Sequence, residues 1–291
     1  MSLKLSVVIP TVGRLEELSA TLNSLCALPA DAPPFEVVVV LDGDHPATGK
    51  LLQRPWSLRL QVLSQPRRGA AAARNLGARE ACGEYLLLLN DDTRVHPSCL
   101  QTHLEAQERL GPAVILGHTA WDPDQPITPY MVWLAPAGHQ FNFARLRPHQ
   151  PIPWDACWTT NLSLPRQWLL EEPLDEAFSG AGMEDSEWGY RLWRRGRVLR
   201  YVPEAICWHR HLYQGPRDFR PRAWAAGAGA RYVVGKHPSL VWLLACKPIL
   251  AWVVRLFSLL WPRADRAQAL WELDFRWHYL LGLWNRHQPL T

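Results

Sequence analysis

A fully apolar run, Leu86-Leu87-Leu88-Leu89, stops on Asn90 and then on two adjacent carboxylates, Asp91 and Asp92. Such a run suits one buried parallel strand, and its end is that strand's carboxyl edge. Open α/β sheets bind ligands just outside this edge. Two acids so close repel each other unless a cation sits between them, and a hard divalent metal holding a phosphate group fits that need. The chemistry predicted is the handling of a nucleotide or sugar diphosphate. Thr11 follows a first strand, Leu5 to Pro10, and Asp42 follows a second, Phe35 to Leu41, so both belong to the same edge. An aspartate there can accept the imide hydrogen of a uracil or thymine ring, with Asp44 as the nearby competitor. Arg68 or Arg74 can pair with a diphosphate. Gly69, lacking a side chain, lets the chain turn beside the phosphates.

The elements that must position these residues alternate. Leu15, Leu18, Leu22 and Leu25 recur at helical spacing, which predicts an amphipathic helix. A third strand is expected over Leu58 to Leu63, an alanine-rich helix over Gly69 to Ala81, and a fourth strand over Tyr85 to Leu89. A helix from Pro97 to Leu110 and a short strand from Ala113 to Leu116 follow. This rhythm predicts parallel βαβ units with right-handed crossovers. Residues 118–157, rich in Pro, His and aromatics, leave no assigned element. Beyond them come a strand-like Thr159 to Ser163, a helix from Glu184 to Arg195 stopped by Gly196, and strand-like pieces at Val198 to Val202 and Ala205 to His209.

The chain has 291 residues, enough for one large domain or a domain plus an appendage. A net charge of +4 is too mild to argue for nucleic acid. The 16 tryptophans suit stacking on sugars, a membrane interface, or simply a Trp-rich core. The six cysteines form no C-x-x-C pair, which excludes the common zinc patterns and predicts reduced thiols in the cytoplasm. The opening apolar run is too short for a signal peptide. From Asp218 onward helix formers and tryptophan dominate. Leu240 to Trp261 is mostly apolar but holds Lys247, Pro248 and Arg255, so a stretch of roughly 18 uncharged apolar residues is missing and a spanning helix is not expected. Two alternatives stand: an interfacial helix on the inner face of the plasma membrane, through residues 240–262, or helices packed on the catalytic domain or a second subunit of a homodimer.

Ser6 to Thr11, Val39 to Gly43, Gly69 with Ala73 to Gly77, Gly83 to Tyr85 leading into Leu89 to Asp92, Glu184 to Leu192 and His209 occur in a telling order. Over roughly residues 4–212 the chain resembles a family 2 glycosyltransferase. The resemblance implies a GT-A fold, an α/β class with a mostly parallel, Rossmann-like central sheet flanked by helices, here with a C-terminal helical appendage. It implies residues 1–217 as the catalytic domain, with 1–117 binding the nucleotide sugar and 118–217 the acceptor, and 218–291 as the helical region. It also implies an inverting, metal-dependent transfer from a UDP, dTDP or GDP sugar to a glycan or lipid-linked glycan.

By the match, the family's D-x-D motif is Asn90-Asp91-Asp92, with Asp92 a ligand of Mn²⁺ or Mg²⁺ and Asp91 reaching the ribose. His209 completes the metal site, with His211 as the alternative. Thr11, Asp42 and Arg74 bind the donor. Asp185 is the general base that takes the acceptor hydroxyl's proton. Glu184 and Asp185 equally suit the positive end of a helix dipole. Glu184, Asn161 and Trp188 border the acceptor side; Trp188 either stacks on a sugar or fills core. Two rival readings remain: a nucleotidyltransferase, for which Thr11-Val12-Gly13-Arg14 is a poor phosphate loop, and a catalytically inactive relative serving as a binding or assembly subunit.

Overall fold

The computed structural model describes residues 3–178, 182–258 and 266–285. Residues 259–262 of the predicted surface segment lie outside them. The chain divides into two compact units. The first comprises Met1–Ile127, Leu134–Glu176 and Asp185–Leu212; the second comprises Thr128–Trp133, Ala177–Glu184 and Tyr213–Thr291.

In the first unit, β1 (Leu5–Thr11), α1 (Leu15–Cys26), β2 (Phe35–Asp42), α2 (Pro46–Leu52), β3 (Leu60–Gln65), α3 (Ala70–Glu80) and β4 (Tyr85–Leu89) build the nucleotide-side half of one sheet. After β5 (Thr93–Val95) and α4 (Cys99–Leu110) comes β6 (Val114–Trp121). One helix that follows, α5 (Pro129–Leu134), falls almost wholly in the second unit. The first unit resumes with β7 (Asn161–Pro165), α6 (Arg166–Glu171), α7 (Glu184–Arg194) and β8 (Leu199–His209). The eight strands stand in the order β3-β2-β1-β4-β7-β6-β8-β5. β7 pairs antiparallel with β4 and β6, and β5 antiparallel with β8; the remaining pairs are parallel.

Successive side chains of a strand face opposite sides of a sheet. Val8, Val38, Val40, Leu86 and Leu88 therefore pack on the small residues Ala71, Ala73 and Ala78 of α3. Val7, Ile9, Val37, Val39, Leu87 and Leu89 pack on Leu18, Leu22 and Leu25 of α1. Burial on both faces explains why these strands read as continuous apolar runs. Leu15, at the start of α1, is exposed instead.

Several boundaries differ from expectation. β3 runs two residues later, because its register with β2 carries it to Gln65 opposite Asp42. β7 begins at Asn161, after a turn at Thr159 and Thr160. The two expected pieces near residue 200 are one strand, β8. Its pairing with β6 jumps from Gly117↔Val202 to His118↔Ile206, so Pro203 to Ala205 form a bulge. Pro203 has no N–H for the ladder, and a bulge is where a strand tolerates it.

In the second unit, α8 (Pro216–Lys236), α9 (Lys247–Ser258) and α10 (Arg266–Trp284) pack together. α8 and α10 approach backbone to backbone: a Cβ on Gly227 would meet the Tyr279 carbonyl oxygen, and one on Gly282 that of Trp224. The Arg220 guanidinium on α8 donates to Asp274 on α10 at 2.6 Å. Trp271 packs edge-on against Tyr130 of α5, ring centroids 5.2 Å apart. A turn of π-helix at Trp242–Cys246 precedes α9. Pro248 cannot donate to the Leu244 carbonyl, and the Tyr279 hydroxyl takes that place at 2.7 Å. Pro238–Leu256 is a helical run of 19 residues that is long and apolar enough to cross a membrane by length and composition, with Lys247 and Arg255 inside it.

Candidate active site

All four leucines that end β4 are buried, and the acids they deliver are almost as deeply enclosed, Asp91 2% and Asp92 3% exposed. Parallel pairing of β1 with β4 brings Thr11 beside them. The Thr11 hydroxyl donates to Asp91 Oδ2 at 2.6 Å. From α1, the Thr21 hydroxyl donates to the Asp91 carbonyl at 2.8 Å and accepts the Thr93 N–H at 3.1 Å, fixing the acidic turn at the backbone.

Arg14 holds both carboxylates. Its Nη1 donates to Asp92 Oδ2 at 2.7 Å, its Nε to Asp91 Oδ2 at 3.3 Å, and its Nη2 to Asp91 Oδ1. Burial alone lowers the Arg14 pKa, but Asp92 and Asp91 outweigh it and hold the guanidinium above its ordinary range. Burial raises the Asp91 pKa, and the opposing pull of Arg14 does not cancel that rise. Arg14 is the residue that sequence reasoning passes over. The signal that marks it is a cationic side chain just past β1, at the edge where the acids end β4.

His209 reaches the same turn from the other end of the sheet. Antiparallel pairing sets it opposite Thr93, next to Asp92. Its Nε2 lies 3.5 Å from Asp92 Oδ1, with both side chains buried. The Arg210 N–H donates to the Asp92 carbonyl at 2.7 Å, so strand β8 also clamps the turn's backbone. Trp121, Phe141 and His211 wall the imidazole, with ring centroids 5.6, 5.7 and 5.9 Å away.

The remaining predicted residues divide by what they touch. Arg74, on α3, donates to Asn90 Oδ1 at 2.9 Å, and Asn90 Nδ2 donates to the Thr160 hydroxyl at 3.2 Å. The amide serves both partners at once, accepting from Arg74 through its oxygen and donating to Thr160 through its nitrogen. Asp42 is buried and holds its own turn: Oδ1 accepts from the Arg68 N–H and Gln65 Nε2, both at 2.8 Å, and Oδ2 from the Gly69 N–H at 2.9 Å. Asp44 is exposed. The Arg68 guanidinium lies on the surface with Glu176 at 2.6 Å. Asp185, at the start of α7, accepts the Ser186 N–H at 2.7 Å. Cys157 is pushed well above its usual pKa, mainly by burial and further by the charge of Asp185. The residue after it, Trp158, lies tilted against Phe141 at 5.8 Å and extends the aromatic wall of His209. Glu184 Oε2 accepts the Gly182 N–H at 2.7 Å.

Two side chains are enclosed by the fold. Asn161 is fully buried, donating to the His118 and Ala205 carbonyls at 3.1 and 2.8 Å, with His103 Nε2 2.8 Å from its Oδ1. Trp188 is likewise buried and donates to the Glu172 carbonyl at 2.6 Å. Structure thus brings Thr11, Arg14, Asp91, Asp92 and His209 together, sets Arg74 one residue away through Asn90, and keeps Asn161 and Trp188 in the core.

Residues 6–165 match the sequence profile of the family described as Glycosyl transferase family 2. The chain belongs to that family. Validoxylamine A glucosyltransferase of Streptomyces hygroscopicus subsp. jinggangensis is 31% identical over 281 residues, 86% of this chain and 63% of that protein. Chondroitin synthase of Escherichia coli is 26% identical, over 70% of this chain and 34% of its own. The family 2 chain thus spans less than two thirds of the curated relatives it matches. Its fold is GT-A. The mannosyltransferase PcManGT of Pyrobaculum calidifontis, solved with GDP-Man and Mn²⁺, superposes with a TM-score of 0.64 at 16% identity, over 99% of this chain and 89% of its own. S. aureus TarS 1-349 with UDP gives 0.58 at 16% identity, over 94% and 80%.

Among the described residues, no group of three or more His, Cys, Asp or Glu side chains could hold a metal ion. The pair Asp92 and His209 offers one oxygen and one nitrogen donor. That set suits Mn²⁺, which accepts imidazole as well as carboxylate. Ions of this class commonly take one or two protein ligands and complete their shell with substrate phosphates and water. The residues present therefore fit a metal that binds together with a diphosphate.

Proposed function

We propose that this family 2 protein transfers a sugar from a nucleoside diphosphate sugar to an acceptor hydroxyl, with inversion at the anomeric carbon. The observation that carries the reading is the approach of His209 to Asp92 at the carboxyl end of β4, beside the Thr11–Asp91 hydrogen bond. Arg14 bridges the two carboxylates and fixes their orientation. Thr11, Asp42, Arg74 and Asp91 form the donor side, with UDP, dTDP or GDP as the nucleotide. Asp42, already bound to the turn before α3, offers remaining lone pairs to a base.

A Mn²⁺ or Mg²⁺ ion held by Asp92 and His209 would neutralise the charge that develops on the departing diphosphate. The acceptor oxygen attacks the anomeric carbon, and the bond from that carbon to the β-phosphate oxygen breaks. The acceptor proton passes to the Asp185 carboxylate, and the nucleoside diphosphate leaves. The position of Asp185 at the start of α7, where it accepts the Ser186 N–H, supports a carboxylate held in a fixed orientation for that role. We assign the nucleotide side to residues 1–117, the acceptor side to 118–217 and a helical region to 218–291. The acceptor is a glycan or a lipid-linked glycan. Six free thiols support a reducing compartment, the cytoplasm.

Release of nucleoside diphosphate from UDP, GDP and dTDP sugars, with Mn²⁺ and with chelator, tests the reaction class. Asp185→Asn should lower turnover by about 10²–10⁴-fold while donor affinity changes little. Turnover near that of the parent would remove Asp185 from catalysis.

A further inference from the structure

The second unit keeps an apolar surface that its own packing leaves uncovered. In the helical run Pro238–Leu256 only 11% of the most apolar stretch is buried. Trp242 is 63% exposed and Val254 60%, with Leu250 and Val253 exposed beside them. On α10, Leu270, Trp277, Leu281 and Trp284 are all exposed, and their spacing puts them on one helix face. Trp252 of α9 packs on Trp277 at 5.7 Å between centroids, so the two faces join.

The stretch that carries most of this surface has charge of one sign. Between Asp218 and Asp265 the sequence contains no acidic residue, but it contains Arg222, Arg231, Lys236, Lys247 and Arg255. An apolar face rimmed by cations and bearing exposed indoles matches the boundary between anionic headgroups and acyl chains.

We propose that this face is an interfacial anchor, lying in the plane of an anionic lipid bilayer. Its apolar side chains enter the acyl boundary, and Lys236, Lys247 and Arg255 meet the lipid phosphates. The helix lies flat and does not span. Lys247 falls at the middle of the run, where a spanning helix would place it at the bilayer centre. Moreover, Tyr279 ties α10 to the Leu244 carbonyl, and α10 carries Glu272, Asp274 and Arg276, which would be drawn in with it. A second copy of the chain is the poorer occupant, because it would bring two cationic rims together.

The test uses the full chain and sedimentation with vesicles, either pure phosphatidylcholine or phosphatidylcholine with phosphatidylglycerol. Binding is expected to the anionic vesicles, to weaken roughly tenfold or more from low to high salt, and to be released by alkaline carbonate. The double variant Trp242→Ser, Val254→Asp, altered only at exposed positions, should lose at least ~tenfold in vesicle affinity with an unchanged circular dichroism spectrum. Lys247→Glu with Arg255→Glu should lose the preference for anionic lipid. Equal binding by parent and double variant, no binding to anionic vesicles, resistance to carbonate, or a dimer in light scattering that the double variant dissolves while vesicles bind neither protein would each overturn the proposal. None of these readouts depends on transferase activity.

Discussion

The Arg14 guanidinium spans two carboxylates that the fold removes from water. Removing one partner of a buried ion pair costs ~3–5 kcal/mol, and the 36% exposure of Arg14 reduces this to roughly 1–3 kcal/mol for Arg14→Ala. Sign follows from Asp91. Burial raises its pKa above the free value of 3.8, so its contribution to stability is present in full below that value and is lost as pH rises through the raised one. In Arg14→Ala the opposing pull of the guanidinium is gone and the rise grows. The variant's deficit in unfolding free energy, measured against the parent by urea titration, should therefore be largest near pH 7 and shrink as pH falls toward 4. A deficit independent of pH would mean that Arg14 contributes packing alone. The acids themselves are legible in the sequence, because a buried apolar run ends on them. Arg14 is not, since its meaning lies in a neighbour that chain order places far away.

Elements, not local sequence, carry His209 to the acids. Strand β8 must leave β6 in one register and rejoin it in another, and the bulge of Pro203 to Ala205, opposite the step from Gly117 to His118, makes room. A Cβ on Gly117 would come 2.4 Å from the Ala205 carbonyl oxygen and 2.3 Å from Asn161 Nδ2. Those two atoms are themselves hydrogen-bonded at 2.8 Å, so neither can yield without breaking a buried pair. Gly117→Ala should cost about 3 kcal/mol, seen as a lower urea midpoint with an unchanged slope. A midpoint within error of the parent would show that the bulge can absorb a methyl group. The parallel strands are readable from their apolar runs, α1 from its periodicity and α3 from its alanines. β8 reads as two pieces because Pro203 interrupts the pattern, and a pairing partner, not a propensity, joins them. Helix α5 and the 3₁₀ turns Phe143–Arg145 and Trp154–Ala156 are hidden for the same reason: contacts with other segments define them.

At the scale of the molecule, the second unit gathers Thr128–Trp133 and Ala177–Glu184 with the C-terminal helices, a grouping that composition along the chain does not mark. The first unit instead concentrates its chemistry at one sheet edge, and that concentration has a thermodynamic signature. Asp92 and His209 supply only two donors, so a divalent ion should bind weakly alone, and a nucleoside diphosphate alone should meet two buried carboxylates. Each ligand supplies what the other lacks, which makes their binding free energies coupled. A ligand at 100 times its dissociation constant raises stability by ~2.7 kcal/mol, or roughly 5–10 °C in melting temperature for a chain of this size. The expected result is a shift with Mn²⁺ and UDP, GDP or dTDP together that exceeds the sum of the separate shifts. Chelator should abolish the excess, and Asp92→Asn should reduce it to the additive value while the ligand-free protein keeps its fold. Strictly additive shifts in the parent protein would mean that metal and diphosphate occupy unconnected places, and the pairing of Asp92 with His209 would then be an internal contact of the sheet.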